Sequence, residues 1–301
     1  MKPSVSLVLS SGGARGVAHI GVIEELERQG YEIASISGSS MGALVGGIYA
    51  SGNLTDFRDW MCKLDKMAVL NMVDFTVSTN GLVKGNKIIK ELQKIVPDEK
   101  IENLPIHYTA VATDIKNKKE VVFDNGSLFD AIRASISIPT IFKPCNQNGM
   151  ILIDGGVVNP LPINRVKRRK NDLLIAVDVS APIADNDIRE QESFKIDETD
   201  LSYFSFLLKQ GYKFLPKISG AQQNYYTLLS QSGSLMMQQI TAMSIAFYQP
   251  DILIQIPLNA YGPFHFYKSE KIIEDGRLAT QEALKEFELK LENKCVVNIV
   301  I

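Results

Sequence analysis

The stretch "SLVLSSGGARGVAHIGVIEELERQG", Ser6 to Gly30, decides the fold. Val5 to Leu9 is an apolar run that predicts a buried strand. Ala14 to Gln29 carries apolar residues at helical spacing and stops at Gly30. Between the two sits a glycine cluster, Gly12, Gly13 and Gly16, at the strand-to-helix corner. Glycine at such a corner lets another group approach the backbone closely. The candidates are a phosphate, a dinucleotide or the oxyanion of a reaction intermediate.

The next segment repeats the pattern. Ile33 to Ser37 predicts a second strand, and Met41 to Ala50 a helix rich in small residues. Strand–helix–strand–helix with tight connections implies an α/β fold: a mostly parallel central sheet covered by helices on both faces, in three layers. Further helices are expected at Leu54–Asp65 and Gly85–Ile95, and a strand pair at Ile106–Asp114 and Lys119–Phe123. Ser127 caps a helix in "SLFDAIRAS". "MILIDGG", "DLLIAVDVS" and "DILIQIPL" supply later strands, and Ser269–Glu292 a terminal charged helix. The polar run Asp185–Thr199 predicts a loop or lid. Leu201–Leu215 and Gln222–Phe247 are helical and rich in Met, Tyr and Phe. The expectation is one domain over residues 1–301, with 185–250 as a helical cover or extension.

Composition narrows the function. The chain has 301 residues, 45% of them apolar, and a net charge of −2, so a large core forms and no basic field invites nucleic acid. Cys62, Cys145 and Cys295 are scattered and odd in number, which suggests neither a disulfide framework nor a metal site and fits a reducing compartment. No run of about 18 apolar residues predicts a membrane-crossing helix. The expected location is cytoplasmic, at most peripheral to a membrane.

The glycine loop lacks the Lys-Ser/Thr pair of a phosphate-binding P-loop. It also lacks a full GxGxxG, and the second strand ends without the acid that would hold a ribose. That strand runs instead into Gly38-Ser39-Ser40-Met41-Gly42, a GxSxG between a β-type run and a small-residue helix. Such a motif makes a sharp turn that presents its serine at a helix N-terminus. Two adjacent parallel strands end at the same sheet edge, so the glycine loop would lie beside Ser40. The N–H groups of Gly12, Gly13, Ala14 and Met41 are then candidate oxyanion donors, with no cofactor and no metal required. Arg15 is expected to anchor the loop.

A serine nucleophile needs a base. His19 lies one turn into the first helix and is expected to pack on a helix face, and His107 opens a strand. His265 completes a Ser40–Asp154–His265 order, yet Ser40 follows only the second strand and the run "YGPFHFY" reads as packing. Asp154, at the end of an apolar strand and followed by Gly155 and Gly156, is the better base. Asp114 and Asp178 are rivals with a structural reading.

These residues resemble the patatin-like phospholipases, and within them the bacterial branch similar to the neuropathy-target-esterase catalytic domain. The blocks "SSGGARG", "GSSMG", "ASISIPTIFKP" and "DGGVVNPLP" span residues 10 to 162, and the tail from Pro250 to Gly276 is also similar. Family loops usually begin with three glycines, and Ser11 replaces the first here. The resemblance implies a Ser40–Asp154 dyad without a catalytic histidine, an oxyanion hole from the glycine loop, and Ca²⁺-independent hydrolysis of phospholipid or lysophospholipid esters. Alternatives are acyl transfer to another acceptor, or an inactive lipid-binding regulatory module. The expected partner is a lipid or fatty-acyl ester. The sequence leaves acyl chain, head group and oligomeric state open.

Overall fold

The computed structural model describes residues 3–72, 86–139, 141–182 and 225–297. Within them one eight-stranded sheet organises the chain. Its strands are β1 (Ser4–Leu9), β2 (Glu32–Ser39), β3 (His107–Asp114), β4 (Lys119–Phe123), β5 (Cys145–Gln147), β6 (Met150–Asp154), β7 (Leu173–Ala181) and β8 (Ile252–Pro257). The order is β5-β6-β3-β2-β1-β7-β8, with β4 also paired to β3. From β3 to β8 every neighbour is parallel, while β4, β5 and β6 pair antiparallel. The mostly parallel sheet expected from the sequence is therefore present.

Burial explains the central strands. Val5, Leu7 and Leu9 of β1 face one side, with Ile36, Ile175 and Val177, and meet helices α1 (Ala18–Arg28) and α2 (Met41–Ala50) in the larger core. Val8, Leu174 and Ala176 face the other side, under Leu161, Ile163 and a long helix. Strands buried on both faces lose the polar alternation of a surface strand. Helices α3 (Leu54–Cys62), α4 (Lys66–Met72), α5 (Asn86–Leu92) and α6 (Leu128–Ser135) follow, then α7 (Tyr225–Tyr248) and α8 (Ser269–Val297). The Ser127 hydroxyl caps α6 by accepting from the Asp130 N–H at 3.0 Å.

Several boundaries differ from the sequence reading. The first helix opens with a 3₁₀ turn, Gly13–Val17, before α1; its N-cap Gly12 offers no side-chain acceptor, and a tighter turn is a common way to finish such an end. Helices α3 and α5 are shorter than expected, and α4 and the polar strand β5 were not anticipated. The lid reading of Asp185–Thr199 and the helix Leu201–Leu215 lie outside the described residues.

Asp154 ends strand β6 as expected, and β6 runs antiparallel to β3, a direction the sequence reading left open. Residues Ala110–Asp114 of β3 pair with β4 along one flank, whereas His107–Val111 pair with β2 and Ala112–Asp114 with β6. A strand has two flanks, so β2 and β6 must share the flank opposite β4. They meet end to end there, Ser39 opposite Val111 and Asp154 opposite Ala112. The two chain segments thus arrive from opposite directions at one point.

Candidate active site

That meeting point brings Ser40 and Asp154 together. Ser40 directly follows β2 and forms the N-cap of α2, with φ 53° and ψ −120°. A positive φ is strained for serine and costs about 1–3 kcal/mol, which the surroundings must offset. The restraints are visible. The Ser40 N–H donates to Ser135 Oγ at 2.9 Å, and its carbonyl accepts the first helical bond from Leu44 at 3.0 Å. A Cβ on Gly42 would sit 2.2 Å from the Leu9 carbonyl oxygen, and one on Gly38 would sit 2.4 Å from the Gly42 carbonyl carbon. Both motif glycines exist because α2 starts directly on the backbone of β1 and β2.

The Ser40 hydroxyl donates to Asp154 Oδ2 at 2.6 Å, and both residues are almost fully buried. The other carboxylate oxygen accepts the Gly156 N–H at 2.7 Å. The Asp154 N–H donates to the Ser137 carbonyl at 2.9 Å, and its carbonyl accepts from Thr113 Oγ1 at 2.9 Å. Burial pushes the Asp154 carboxyl up to about 6, against the opposing hydrogen bonds from Ser40 and Gly156. Gly155 lies over Val111 and Ser39, where a Cβ would meet the Val111 oxygen at 2.2 Å. A Cβ on Gly156 would come within 2.8 Å of Met237 Cε, 2.9 Å of Ser11 Oγ and 3.0 Å of Asp154 Oδ1.

The glycine loop lies against the same place, since a Cβ on Gly16 would fall 2.4 Å from that of Met41. Arg15 anchors the loop as expected. Its guanidinium donates to the carbonyls of Val179 and Tyr261, both at 2.9 Å, and to Ser180 Oγ at 3.1 Å. One expected donor drops out: the Ala14 N–H is taken by the Pro263 carbonyl at 3.0 Å, so Ala14 has no free N–H to offer. The N–H groups of Gly12, Gly13 and Met41 have no acceptor among the described residues. Gly13 holds φ at 57°, and a Cβ there would press on the Pro263 oxygen at 2.9 Å.

The histidines are placed elsewhere. His19 is fully buried beneath the loop, where Nε2 lies 2.9 Å from the Ser10 carbonyl. A carbonyl only accepts, so Nε2 carries the proton and Nδ1 is left buried without a partner among the described residues. Burial lowers its pKa to about 4, and the ring stays neutral. This is more than packing on a helix face: His19 ties α1 to the end of β1. His265 Nδ1 accepts from the Gly262 N–H at 3.1 Å and its ring lies beside Tyr267. A triad would put a histidine between serine and acid, whereas Ser40 meets Asp154 directly. Asp114 is tied to its own turn through Asn117 and Lys116, and Asp178 to the Ser180 N–H.

Sequence reasoning missed the braces. Ser135 and Ser137 sit in the block "ASISIPTIFKP", to which no role was assigned, and they hold Ser40 and Asp154 respectively. Arg133 fixes this block through Ser137 Oγ at 2.6 Å. Two serines spaced by one residue at the end of a helix carry no recognisable motif. In the Met-rich stretch Gln222–Phe247, Met237 Cε lies against Gly156, while Met236 faces outward.

Residues 7–166 match the family model "Patatin-like phospholipase". An uncharacterized NTE family protein of Mycobacterium tuberculosis is 32% identical over 99% of this chain and 96% of its own length. Lysophospholipase NTE1 of Candida albicans is 29% identical over 91% of this chain, which corresponds to 19% of that larger protein. Among solved structures, VipD from Legionella pneumophila aligns with a TM-score of 0.47 at 14% identity, over 95% of this chain and 67% of its own. By the family match across its first half and by full-length similarity to an NTE relative, the chain belongs to the patatin-like phospholipase family.

Proposed function

We propose that this chain hydrolyses the carboxylic ester bonds of phospholipids or lysophospholipids, with Ser40 as nucleophile and Asp154 as its base. The observation that carries the reading is the 2.6 Å hydrogen bond from Ser40 Oγ to a buried carboxylate. Membership of the family and the lysophospholipase named among its relatives support the substrate class.

In the first step Asp154 takes the hydroxyl proton while Ser40 Oγ bonds to the ester carbonyl carbon. The carbonyl oxygen becomes an oxyanion, for which the N–H groups of Gly12, Gly13 and Met41 are the proposed donors. Each well-placed donor is worth about 3–4 kcal/mol at the transition state. The intermediate collapses to an acyl-Ser40, and the proton on Asp154 passes to the departing alkoxide. Water then gives its proton to Asp154 and attacks the acyl carbon. Collapse releases the fatty acid and returns the proton to Ser40. A carboxylate near 4 would be a poor base for a hydroxyl; the desolvated Asp154, near 6, is a stronger one.

Mass spectrometry of the products from a mixed phospholipid and lysophospholipid incubation tests the reading, with Ser40→Ala as control. Free fatty acid and the matching deacylated lipid are expected from the parent protein alone. Equal fatty-acid release by both proteins would overturn the assignment. Transfer of the acyl group to an added alcohol without release to water would make the chain a transferase.

A further inference from the structure

We propose that the outer face of α7, together with the basic loop Lys167–Lys170, is a docking surface for a lipid bilayer bearing anionic head groups. Helix α7 has 24 residues and no charged side chain. Its inner face holds it to the body: Thr241 is buried, Ser244 Oγ donates to the Leu161 carbonyl at 3.3 Å, and Gln238 Nε2 donates to the Ser180 carbonyl at 3.2 Å. Leu229, Met236 and Met243 recur every seven residues and Phe247 follows four later, so they form one stripe. That stripe faces away from the body, with Met243 71% and Phe247 79% exposed. Large contiguous apolar exposure on a soluble domain marks an interaction surface.

Charge beside the stripe selects the occupant. Residues 165–170 read "RVKRRK", five cations in six positions. Helix α7 ends three residues before Asp251, which lies 3.6 Å from Arg168 and also accepts the Leu174 N–H at 2.7 Å. The basic loop therefore adjoins the Phe247–Tyr248 end of the helix, where the two rings meet edge to face at 4.8 Å. Arg165 is paired with Glu120, but the exposed Lys167 and Lys170 have no acidic partner among the described residues. An apolar stripe with a cationic end fits a bilayer whose acyl region takes Leu, Met and Phe and whose anionic head groups take the lysines. At the middle of the same helix, Met237 lies against Gly156, next to Asp154. One rigid helix thus links the docking surface to the site. The inference builds on the acyl-hydrolase reading, and the two fail separately.

Vesicle flotation tests it, with the full chain and vesicles of phosphatidylcholine alone or with one-third phosphatidylglycerol. Binding is expected to the mixed vesicles, to weaken as salt rises, and to fall at least tenfold in both K167E/K170E and M243S/F247S. Hydrolysis of a short soluble p-nitrophenyl ester should be unchanged in both variants, which separates docking from chemistry. The proposal is overturned by absence of binding to mixed vesicles, or by equal binding of parent and variants. It is equally overturned if M243S/F247S converts a dimer to a monomer, or loses thermal stability, because the stripe then covers a second copy or part of this chain.

Discussion

Ser40 is held in a backbone conformation that serine seldom adopts, and the energy for this comes from its neighbours. Ser135 takes its N–H, α2 takes its carbonyl, and Asp154 takes its hydroxyl. Asp154 is itself costly, a buried carboxyl with two hydrogen-bond donors and no cation beside it among the described residues. Unfolded, it ionises near pH 4 (about 3.9); folded, near 6. Between those values the folded state binds more protons, so this residue's contribution to stability declines as pH rises through 4 to 6 and is level above. Asp154→Asn should therefore be as stable as the parent below about pH 4 and more stable at pH 8, by about 1–3 kcal/mol, measured by urea denaturation. Activity should move the opposite way. Because the ionised form is the proposed base, kcat/KM should rise with pH to a plateau with an apparent pKa near 6. An acidic limb near 4 would mean that the base is not this desolvated carboxylate. His265→Ala should leave the rate within a few-fold of the parent, since its Nδ1 serves the Gly262 N–H. A loss as deep as that of Asp154→Asn would restore the triad reading.

At the scale of elements, the site depends on close backbone approach. The glycine loop must fit between Met41 and Pro263, and Gly13 does so with a left-handed φ. Gly13→Ala should lower kcat by about 10²–10³-fold while KM changes little, because displaced N–H donors act on the transition state. The same closeness joins α1 to α8: a Cβ on Gly276 would sit 2.2 Å from the Ala18 carbonyl oxygen. Gly276→Ala is expected to cost about 1–3 kcal/mol by forcing the helices apart. At Gly233, inside α7, an added Cβ meets nothing within 4 Å among the described residues. Gly233→Ala should stabilise by about 0.5–1 kcal/mol, through helix propensity alone. Paired thermal melts check both signs. What was legible in the sequence at this scale was the element that follows a strong local rule. Helix α2 starts and ends where the small-residue run does, and the Ser127 cap is where the "S-x-x-D" pattern puts it. The direction of β6 was not legible, because an apolar pentad reads the same parallel or antiparallel. Its pairing is fixed by β3, some 40 residues earlier in the chain.

At the scale of the molecule, the parallel sheet from β3 to β8 places the end of β2 and the loop after β1 at one edge, and the reversed β6 delivers the acid there. The proposed nucleophile and base stand out in local motifs, GxSxG and DGG. The proposed oxyanion donors stand out only in part. Nothing local reveals that Pro263, 249 residues after Ala14, claims the Ala14 N–H. The braces Ser135 and Ser137 were hidden for the same reason, since their partners are set by tertiary packing. Among the described residues no helix is long and apolar enough to cross a membrane, and the proposed route to lipid is the outer face of α7. Everything proposed about function rests on Ser40 as nucleophile with Asp154 as its base. Intact-mass and peptide mass spectrometry after fluorophosphonate treatment tests this most directly. One adduct on Ser40 is expected in the parent, none in Ser40→Ala, and labelling slowed at least 100-fold in a folded Asp154→Asn. An adduct on Ser40→Ala, or labelling of Asp154→Asn at the parent rate, would contradict the account.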